Sequence, residues 1–283
     1  MKLKSEICKA FDAQAKHYEK AALAQFEIGN RLFERLQYIK LNPRYILDLG
    51  CGTGQVSHQL KQQYPKATVV GFDLAHAMLT QAKAKHTWRK KWDLVQGDMM
   101  SLPFANGVFD LVFANQSIHW TESLSALMRE LNRVMSPKAC FLFSTVGPDT
   151  MKELKQAWAE VDSYIHVNQF LDMHDIGDIL LAEQFLDPVV DMEMLTIHYP
   201  NLSTLLQALK MQGVRNIHPQ RRLGLIGKKQ WLRFESILKT NCTREGKIPL
   251  SYEVIYGQAW KGEQRLTERG MEIMVPVTHI KRK

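Results

Sequence analysis

The apolar positions of this 283-residue chain change their period several times, and each change marks a predicted element. Residues 5–40 place large apolar side chains every three or four positions, which predicts helix up to the break at Asn42-Pro43. Short β-branched runs then alternate with helical stretches up to residue 146. The predicted strands are 45–49, 67–72, the "LVQGD" segment, 109–114 and 139–146, and the predicted helices are 56–63, 75–85 and 122–134.

The alternation loosens after residue 146, where helical patterns predominate. Two more strands are predicted in "PVVDMEMLTIHY" and "SYEVIYGQAW", the second being the last, and residues 201–240 are mostly helical. This order predicts an α/β fold with a doubly wound, mostly parallel, seven-stranded Rossmann-like sheet, whose helical insertions form a lid. Its ligand is expected at the carboxyl ends of the strands.

The sequence contains no internal repeat and no low-complexity linker, so we predict a single domain over residues 1–283. Its predicted parts are an N-terminal helical cap at 1–42, a cofactor-binding core at 43–146, the remainder of the sheet with a helical substrate lid at 147–250, and a last strand with a basic tail at 251–283.

Charge is distributed unevenly along the chain, whose net charge is +8. Residues 207–283 hold 16 Lys and Arg against 6 Asp and Glu, whereas the rest of the chain holds 21 against 23. The basic quarter indicates either an acidic partner or simply a solvated basic surface, and the charge alone does not choose between them.

The four cysteines, at positions 8, 51, 140 and 242, lie far apart and form no C-x-x-C pair. This spacing predicts unpaired thiols, no metal site and a reducing, cytoplasmic location. No apolar run approaches the about 18 residues of a membrane span. We also expect no secretory signal, because no apolar stretch follows the first lysines.

The stretch "ILDLGCGTGQ" ends a predicted strand with Asp48 and places glycines at 50, 52 and 54. Glycines permit positive φ and let a ligand approach the backbone closely. The pyrophosphate fingerprint would require a further glycine at 55 or 57, where the chain has Gln and Ser. Asp48 would repel a pyrophosphate but suits a cationic ligand.

Two further carboxylates follow the next predicted strands. Asp73 stands where an acidic residue can bind both ribose hydroxyls of an adenosine, and Asp98 suits a hydrogen bond from an adenine amino group. Together with Asp48 they predict an adenosine that carries a positive, amino-acid tail. S-adenosylmethionine matches that description.

The motifs "LDLGCGTG", "GFDLAHAMLTQA", "GDMMSLPFANGVFDLVFAN" and "LNRVMSP" resemble, in order and spacing, those of class I S-adenosylmethionine-dependent methyltransferases. The resemblance covers residues 45 to about 146 and implies this cofactor, without a metal. The candidate cofactor-binding residues are Asp48, Gly50, Cys51, Gly52, Gly54, Asp73, Leu74, Asp98, Met99 and Asn115.

The flanking segments narrow the resemblance. "FDAQAKHYEKAALAQFEIGNRL", "FSTVGPDTMKELKQAWAEVDSYIHVNQF" and "ALKMQGVRN" are similar to the malonyl-acyl-carrier-protein O-methyltransferases of biotin synthesis, over most of residues 10–260. The chain departs from that family in "MSPKA", where a Pro-Gly-Gly turn is common, and in "SIHW", where a glutamine commonly precedes the tryptophan. The candidate substrate-positioning residues are Tyr18, His119, Trp120, His166, Asn168 and Arg215.

The resemblance also implies a partner for the basic quarter. Acyl carrier proteins are acidic, so we expect one to dock there, with Arg221, Arg222, Lys228 and Lys229 as candidate contacts.

Three alternatives stay open at the level of sequence. The first is a methyltransferase that acts on a free small molecule such as a quinone precursor. The second is a nucleic-acid methyltransferase, which is disfavoured because "NQSI" replaces the Asp/Asn-Pro-Pro-aromatic run and no Pro-Cys nucleophile follows. The third is a protein that only binds the cofactor.

Overall fold

The computed structural model describes residues 2–87, 90–242, 246–262, 264–267 and 270–273. The helices are α1 Lys2–Gln14, α2 Tyr18–Ala21, α3 Leu23–Arg35, α4 Gln55–Gln63, α5 His76–Ala84, α6 Leu124–Val134, α7 Lys152–Ala159, α8 Met173–Ala182, α9 Leu202–Met211 and α10 Lys228–Cys242. The strands are β1 Tyr45–Leu49, β2 Thr68–Asp73, β3 Asp93–Gln96, β4 Phe109–Asn115, β5 Met135–Val146, β6 Phe185–Tyr199, β7 Ile248–Lys261, β8 Gln264–Thr267 and β9 Gly270–Ile273.

Seven strands form one sheet in the order β3-β2-β1-β4-β5-β7-β6. The first five pair in parallel, and β7 runs antiparallel between β5 and β6. The order reverses between β1 and β4, so the carboxyl ends of these two neighbours diverge into loops on opposite sides and leave a crevice for a ligand. The predicted fold class is therefore confirmed.

Helices cover both faces of the sheet, as apolar burial requires of parallel strands. On one face the core combines α3 and α4 with α7 and α10, through buried side chains such as Ile28, Leu60 and Phe234. On the other face α6 and α8 supply Leu131 and Leu180. Nearly every residue of β4 and β5 is buried, because these strands lie in the middle of both layers.

The continuous helix predicted over residues 5–40 is wrong, because the structure breaks it into α1, α2 and α3, followed by a 3₁₀ turn at Leu36–Tyr38. Ala22, between α2 and α3, leaves helical geometry with φ −82° and ψ 37°. The helices pack against different neighbours, because α1 contacts α5 whereas α3 contacts β4 and β5. A helical period records that one face is buried, but it does not reveal against which neighbour.

Two strand predictions also need correction. β5 begins at Met135 and not at Ala139, and its register against β4 shifts where Lys138 adopts a positive φ of 65°. β7 is not the last strand, because β8 and β9 follow it and pair with each other. Segments of four residues are too short to show a reliable alternation.

The predicted division of the chain into functional parts stays a prediction, and residues 274–283 of the basic tail lie outside the described residues. In the described part of the chain, no helix is long and apolar enough to cross a bilayer. No group of three His, Cys, Asp or Glu side chains within those residues is arranged to hold a metal ion.

Gly257 in β7 offers a test of packing at the centre of the sheet. A Cβ at this position would lie 2.0 Å from Cζ of Phe143, its fully buried neighbour in β5, whereas a Cβ at Gly177 in α8 would meet nothing within 4 Å. We expect Gly257→Ala to lower the free energy of unfolding by about 1–3 kcal/mol. The control Gly177→Ala should raise it by about 0.5–1 kcal/mol. Urea denaturation measures both, and similar effects at the two sites would contradict this packing.

Candidate active site

The loop after β1 brings mainly backbone to the edge of the sheet, because three of its five residues are glycines. The amides of Gly50 and Cys51 donate to the carbonyl of Phe72 in β2, at 2.8 and 3.0 Å. Gly50 has φ 75°, and a Cβ there would collide with Ser117 at 2.3 Å. Gly52 has φ 52°, and a Cβ there would meet nothing within 4 Å, because its backbone faces open space. The loop therefore requires glycine for its path at one position and leaves room for a ligand at the other.

Asp48 lies beneath this loop with 1% of its surface exposed. Its Oδ2 accepts a 2.5 Å hydrogen bond from Oγ of Ser57, which is itself buried in α4. Burial, opposed by the Ser57 hydrogen bond and assisted by the nearby charge of Asp73, raises the pKa of Asp48 to about 7. A cation bound next to Asp48 would favour its ionised form.

Asp73 ends β2 and ties two backbone segments together. Its Oδ2 accepts from the amide of Gly52 and its Oδ1 from the amide of Ala75, both at 2.8 Å. Burial raises the pKa of Asp73, while these backbone donors oppose that rise. Each carboxylate oxygen keeps an acceptor site for another donor, so a pair of vicinal hydroxyls could bind here.

Helix α1 closes the far end of the site. Lys4 Nζ donates to Asp98 Oδ2 at 2.5 Å, and Asp98 Oδ1 accepts from the amide of Met100 at 3.0 Å. A second tie joins Asp12 of α1, which accepts from the amide of Ala77 at 2.8 Å. The N-terminal helix is thus part of the wall of the site.

Asn115, at the end of β4, is held by the protein itself. Its Nδ2 donates to the carbonyl of Gln25 at 3.0 Å, and its Oδ1 accepts from Oγ of Ser144 at 2.7 Å. Tyr18 lies nearby between the rings of Phe11 and Phe26, each about 6.5 Å away. Burial raises the pKa of Tyr18 above its ordinary value, so its phenol stays neutral.

His119 and Trp120 lie in a 3₁₀ turn that follows β4. Nδ1 of His119 is 3.3 Å from Oγ1 of Thr145, and burial lowers the pKa of His119 to about 4. The imidazole is therefore neutral near pH 7. Trp120 packs edge-on against Phe11, with ring centroids 5.5 Å apart, so α1 also contacts this end of the site.

These elements enclose one main cavity of about 1010 Å³, counted to its opening. It brings together ten of the residues predicted from sequence: Tyr18, Gly50, Gly52, Asp73, Leu74, Asp98, Met99, Asn115, His119 and Trp120. A smaller adjoining pocket adds Asp48 and Cys51. Gly54 lines neither pocket, since it takes the left-handed N-cap position of α4.

The chemistry of the donor set fits S-adenosylmethionine. The main cavity offers Asp73 for hydroxyl groups, an apolar wall at Leu74, Met78 and Met99 for a flat ring, and open backbone at Gly52. The adjoining pocket offers Asp48 for a cation, and Oε1 of Gln25 on its wall is buried without a protein partner. An ammonium group could satisfy that acceptor.

Three predicted substrate residues lie away from the main cavity. His166 stacks on Trp158 at 3.9 Å and lines a separate cavity, with its Nε2 2.8 Å from Oδ1 of Asp162. Asn168 joins two loops, because it donates to the carbonyl of Arg215 and accepts from the amide of Ile217. The Arg215 side chain is exposed and lines none of the described cavities, so a role for it in positioning the substrate stays a prediction.

Several lining residues were not predicted from sequence. α1 supplies Lys4, Cys8 and Phe11, and the segment after α9 supplies Gln212 and Val214. Phe11 belongs to the apolar face of the N-terminal helical pattern, which could have indicated it. No sequence motif near Lys4 or Gln212 predicts that they line the cavity, because each reaches it only when distant segments of the chain meet in the fold.

The four basic candidates for docking differ in their surroundings. Arg221 Nη2 donates to Glu6 at 3.1 Å, and Arg222 Nη1 donates to Asp162 at 3.1 Å, so both hold the loop before α10 in place. Lys228 and Lys229 open α10 and are exposed.

Comparison with known proteins gives consistent findings. Residues 47–143 match a family model described as "Methyltransferase domain". A malonyl-[acyl-carrier protein] O-methyltransferase from Legionella pneumophila is 58% identical over all of both chains. Another from Gallionella capsiferriformans is 41% identical over 98% of each. The crystal structure of the YcgJ protein from Bacillus subtilis superposes with TM-score 0.60 over 82% of this chain and 98% of that one, at 17% identity, and shares the fold.

The buried Asp48 predicts an unusual dependence of stability on pH. Because burial raises its pKa to about 7, the folded state holds one more proton than the unfolded state between about pH 4 and 7. Asp48 therefore removes stability as the pH rises through that window. We expect Asp48→Asn to stabilise the protein by up to about 4 kcal/mol at pH 8, and by less at pH 5. Chemical denaturation at both values measures the difference, and parallel pH curves for the two proteins would contradict it.

Proposed function

Because the chain belongs to the malonyl-[acyl-carrier protein] O-methyltransferase family, we propose that it methylates the free carboxylate of malonyl-acyl carrier protein, an early step of biotin synthesis. The observation that carries the proposal is a single cavity with an acidic, glycine-lined end for the cofactor and a neutral end for the acceptor. Bound S-adenosylmethionine supplies an electrophilic methyl group on a cationic sulfur.

Each end of the cavity has residues suited to one part of the cofactor. Asp73 would bind the ribose hydroxyls, and Asp98 with Met99 would contact the adenine. Asp48 and Gly52 would surround the cationic tail in the adjoining pocket. Without the cofactor, the raised pKa of Asp48 keeps its carboxyl group partly protonated near pH 7. The positive charge of the bound tail would lower that pKa and so favour the ionised carboxylate.

The acceptor needs no general base. A malonyl half-acid is already ionised at neutral pH, so the attacking oxygen carries its own charge. Among the described residues that line the main cavity, Lys4 is the one lysine or arginine, and it is paired with Asp98. The neutral groups around His119 therefore leave the carboxylate reactive, while α1 and α2 exclude water and orient it.

Methylation has a physical purpose for an acyl chain. A charged malonyl end is costly to bury in the apolar tunnels of enzymes that extend fatty acids. A methyl ester has no charge, so enzymes of that class can extend it as they extend an ordinary chain.

We propose that the carrier protein docks on the loop before α10 and on the start of that helix. We call this surface, residues 221–229, the basic loop. Lys228 and Lys229 present free positive charge at a helix N-terminus, and Leu223 and Leu225 are 84% and 97% exposed between the basic residues. Charge around an apolar centre is typical of a docking surface for an acidic protein. No nucleic acid is expected there.

A cytoplasmic location is also proposed. It is supported by Cys8, Cys51 and Cys140, which are free thiols. The alternative, a methyltransferase for a free quinone precursor, is disfavoured because relatives named for the carrier-protein substrate match the chain over nearly its whole length.

Direct assay tests the function. The purified protein is incubated with S-adenosylmethionine and either malonyl-acyl carrier protein, malonyl-coenzyme A or a quinone precursor, and mass spectrometry follows the gain of one methyl group. We expect a methyl ester on the malonyl thioesters and none on the quinone precursor. If neither malonyl-acyl carrier protein nor malonyl-coenzyme A gains a methyl ester, the proposed function is rejected.

Charge reversal tests the basic loop. We expect Lys228→Glu/Lys229→Glu to lower kcat/KM for malonyl-acyl carrier protein by about tenfold or more at low salt, since steering and rim charges mainly affect association. Turnover of malonyl-pantetheine, which lacks the carrier protein, should stay unchanged.

A matched control is Lys40→Glu/Lys66→Glu, which makes the same change in net charge at the amino ends of β1 and β2, away from the cavity. Arg221 and Arg222 serve less well, because their reversal would also break the ion pairs to Glu6 and Asp162. Equal losses in the two double variants would remove the docking proposal.

A further inference from the structure

Two further cavities lie beside the main cavity, beyond His119. A middle cavity of about 600 Å³ shares His119 and Thr121 with the main one. An outer cavity of about 970 Å³ shares Gln169 and Phe170 with the middle one and reaches the exposed ring of Tyr164. We call the middle and outer cavities together the side groove. It lies between the acceptor end of the active site and the protein surface.

The side groove has apolar walls with polar and charged groups among them, including Glu122 in the middle part. Phe170 divides its two parts, with its ring centroid 5.6 Å from that of His119 and 5.7 Å from Nζ of Lys155. Lys155 donates to the carbonyl of Pro148 at 2.5 Å, and burial lowers its pKa. Thr145 lines the middle part and Gln169 both parts. Such walls suit a long, narrow ligand in which methylene groups alternate with amides.

The other end of the main cavity cannot serve the same ligand. There Asp73, Leu74, Asp98 and Met99 would contact the adenosine of the cofactor, and α1 lies across them through Lys4. An acceptor attached to a protein must still reach the surface from its reacting carboxylate. The end of the main cavity beside His119 is therefore the one from which the arm of such an acceptor can lead to the surface.

The outer part of the side groove meets the basic loop. The Arg222 guanidinium lies 5.5 Å from the ring centroid of Tyr164 and pairs with Asp162, which also contacts His166 on the wall of the outer cavity. A carrier protein docked on the basic loop would therefore have the mouth of the side groove next to it.

We propose that the pantetheine arm of the thioester substrate lies in the side groove, passes Phe170 and leaves beside Tyr164. This inference rests on the proposed function and adds the path of the arm and a specificity for acceptors that carry one. His119 then stands where the malonyl group passes from the groove into the active site, and Gln169 lines both parts of the groove where they meet.

Filling the outer cavity tests the path. Ala159 of α7 lines that cavity, and its small side chain is exposed. Ala159→Trp should lower kcat/KM for malonyl-pantetheine by about tenfold, because overpacking and lost contacts of this kind reach that size. The methyl thioester of malonate, which ends before the groove, should react as it does with the unaltered protein. The control Gln156→Trp adds the same side chain to an exposed position of α7 that lines no described cavity, and it should affect neither substrate.

A second variant covers the case in which Ala159→Trp does not fold. Gln169→Trp narrows the junction from a different element and should show the same selectivity, and an unchanged affinity for S-adenosylmethionine reports an intact site. Equal loss on both substrates, or no loss on malonyl-pantetheine in either variant, overturns the proposed path. Absence of turnover of every malonyl thioester by the unaltered protein instead rejects the proposed function itself, and the path with it.

Discussion

The structure depends on holding two carboxylates close together at the ends of adjacent strands, Asp48 buried and Asp73 partly buried. Asp48 and Asp73 repel each other, and burial makes the charge of each costly, as their raised pKa values record. The protein compensates with short donors, Ser57 for one and the Gly52 and Ala75 amides for the other. These same hydrogen bonds fix the glycine loop and orient the start of α4. The two carboxylates therefore leave an unfavourable concentration of negative charge at this end of the site. A cationic ligand such as a sulfonium cofactor reduces this repulsion, whereas a pyrophosphate would increase it.

The chemistry at the other end of the cavity needs the opposite environment. His119 is neutral, Lys4 is committed to Asp98, and the Arg215 side chain lies outside. A strong cation beside the acceptor carboxylate would stabilise it before reaction and so slow its attack. Lys228 and Lys229 of the basic loop are exposed and do not line the main cavity, so their charge lies away from its acceptor end.

The sequence alone predicted what depends on local pattern and failed where distant segments meet. The strands around Asp48 and Asp73, the glycine loop and the fold class follow from period, glycine spacing and strand ends. The break at Ala22 was missed, because a helical period does not say which neighbour a face contacts. Lys4 and Gln212 were missed because each reaches the cavity from an element with no motif of its own. The Arg215 side chain is exposed, and its role in positioning the substrate stays a prediction.

Helix α1 has a practical consequence for work with this protein. Its residues Lys4, Cys8 and Phe11 form part of the cavity wall, and Asp12 fastens the helix to α5. An affinity tag or fusion partner joined directly ahead of α1 would therefore lie close to the end of the cavity lined by Lys4 and Asp98. Removing the first turn would take away Lys4 and leave Asp98 without its ion pair. The design of the N-terminus therefore bears on the shape of the cavity as well as on purification.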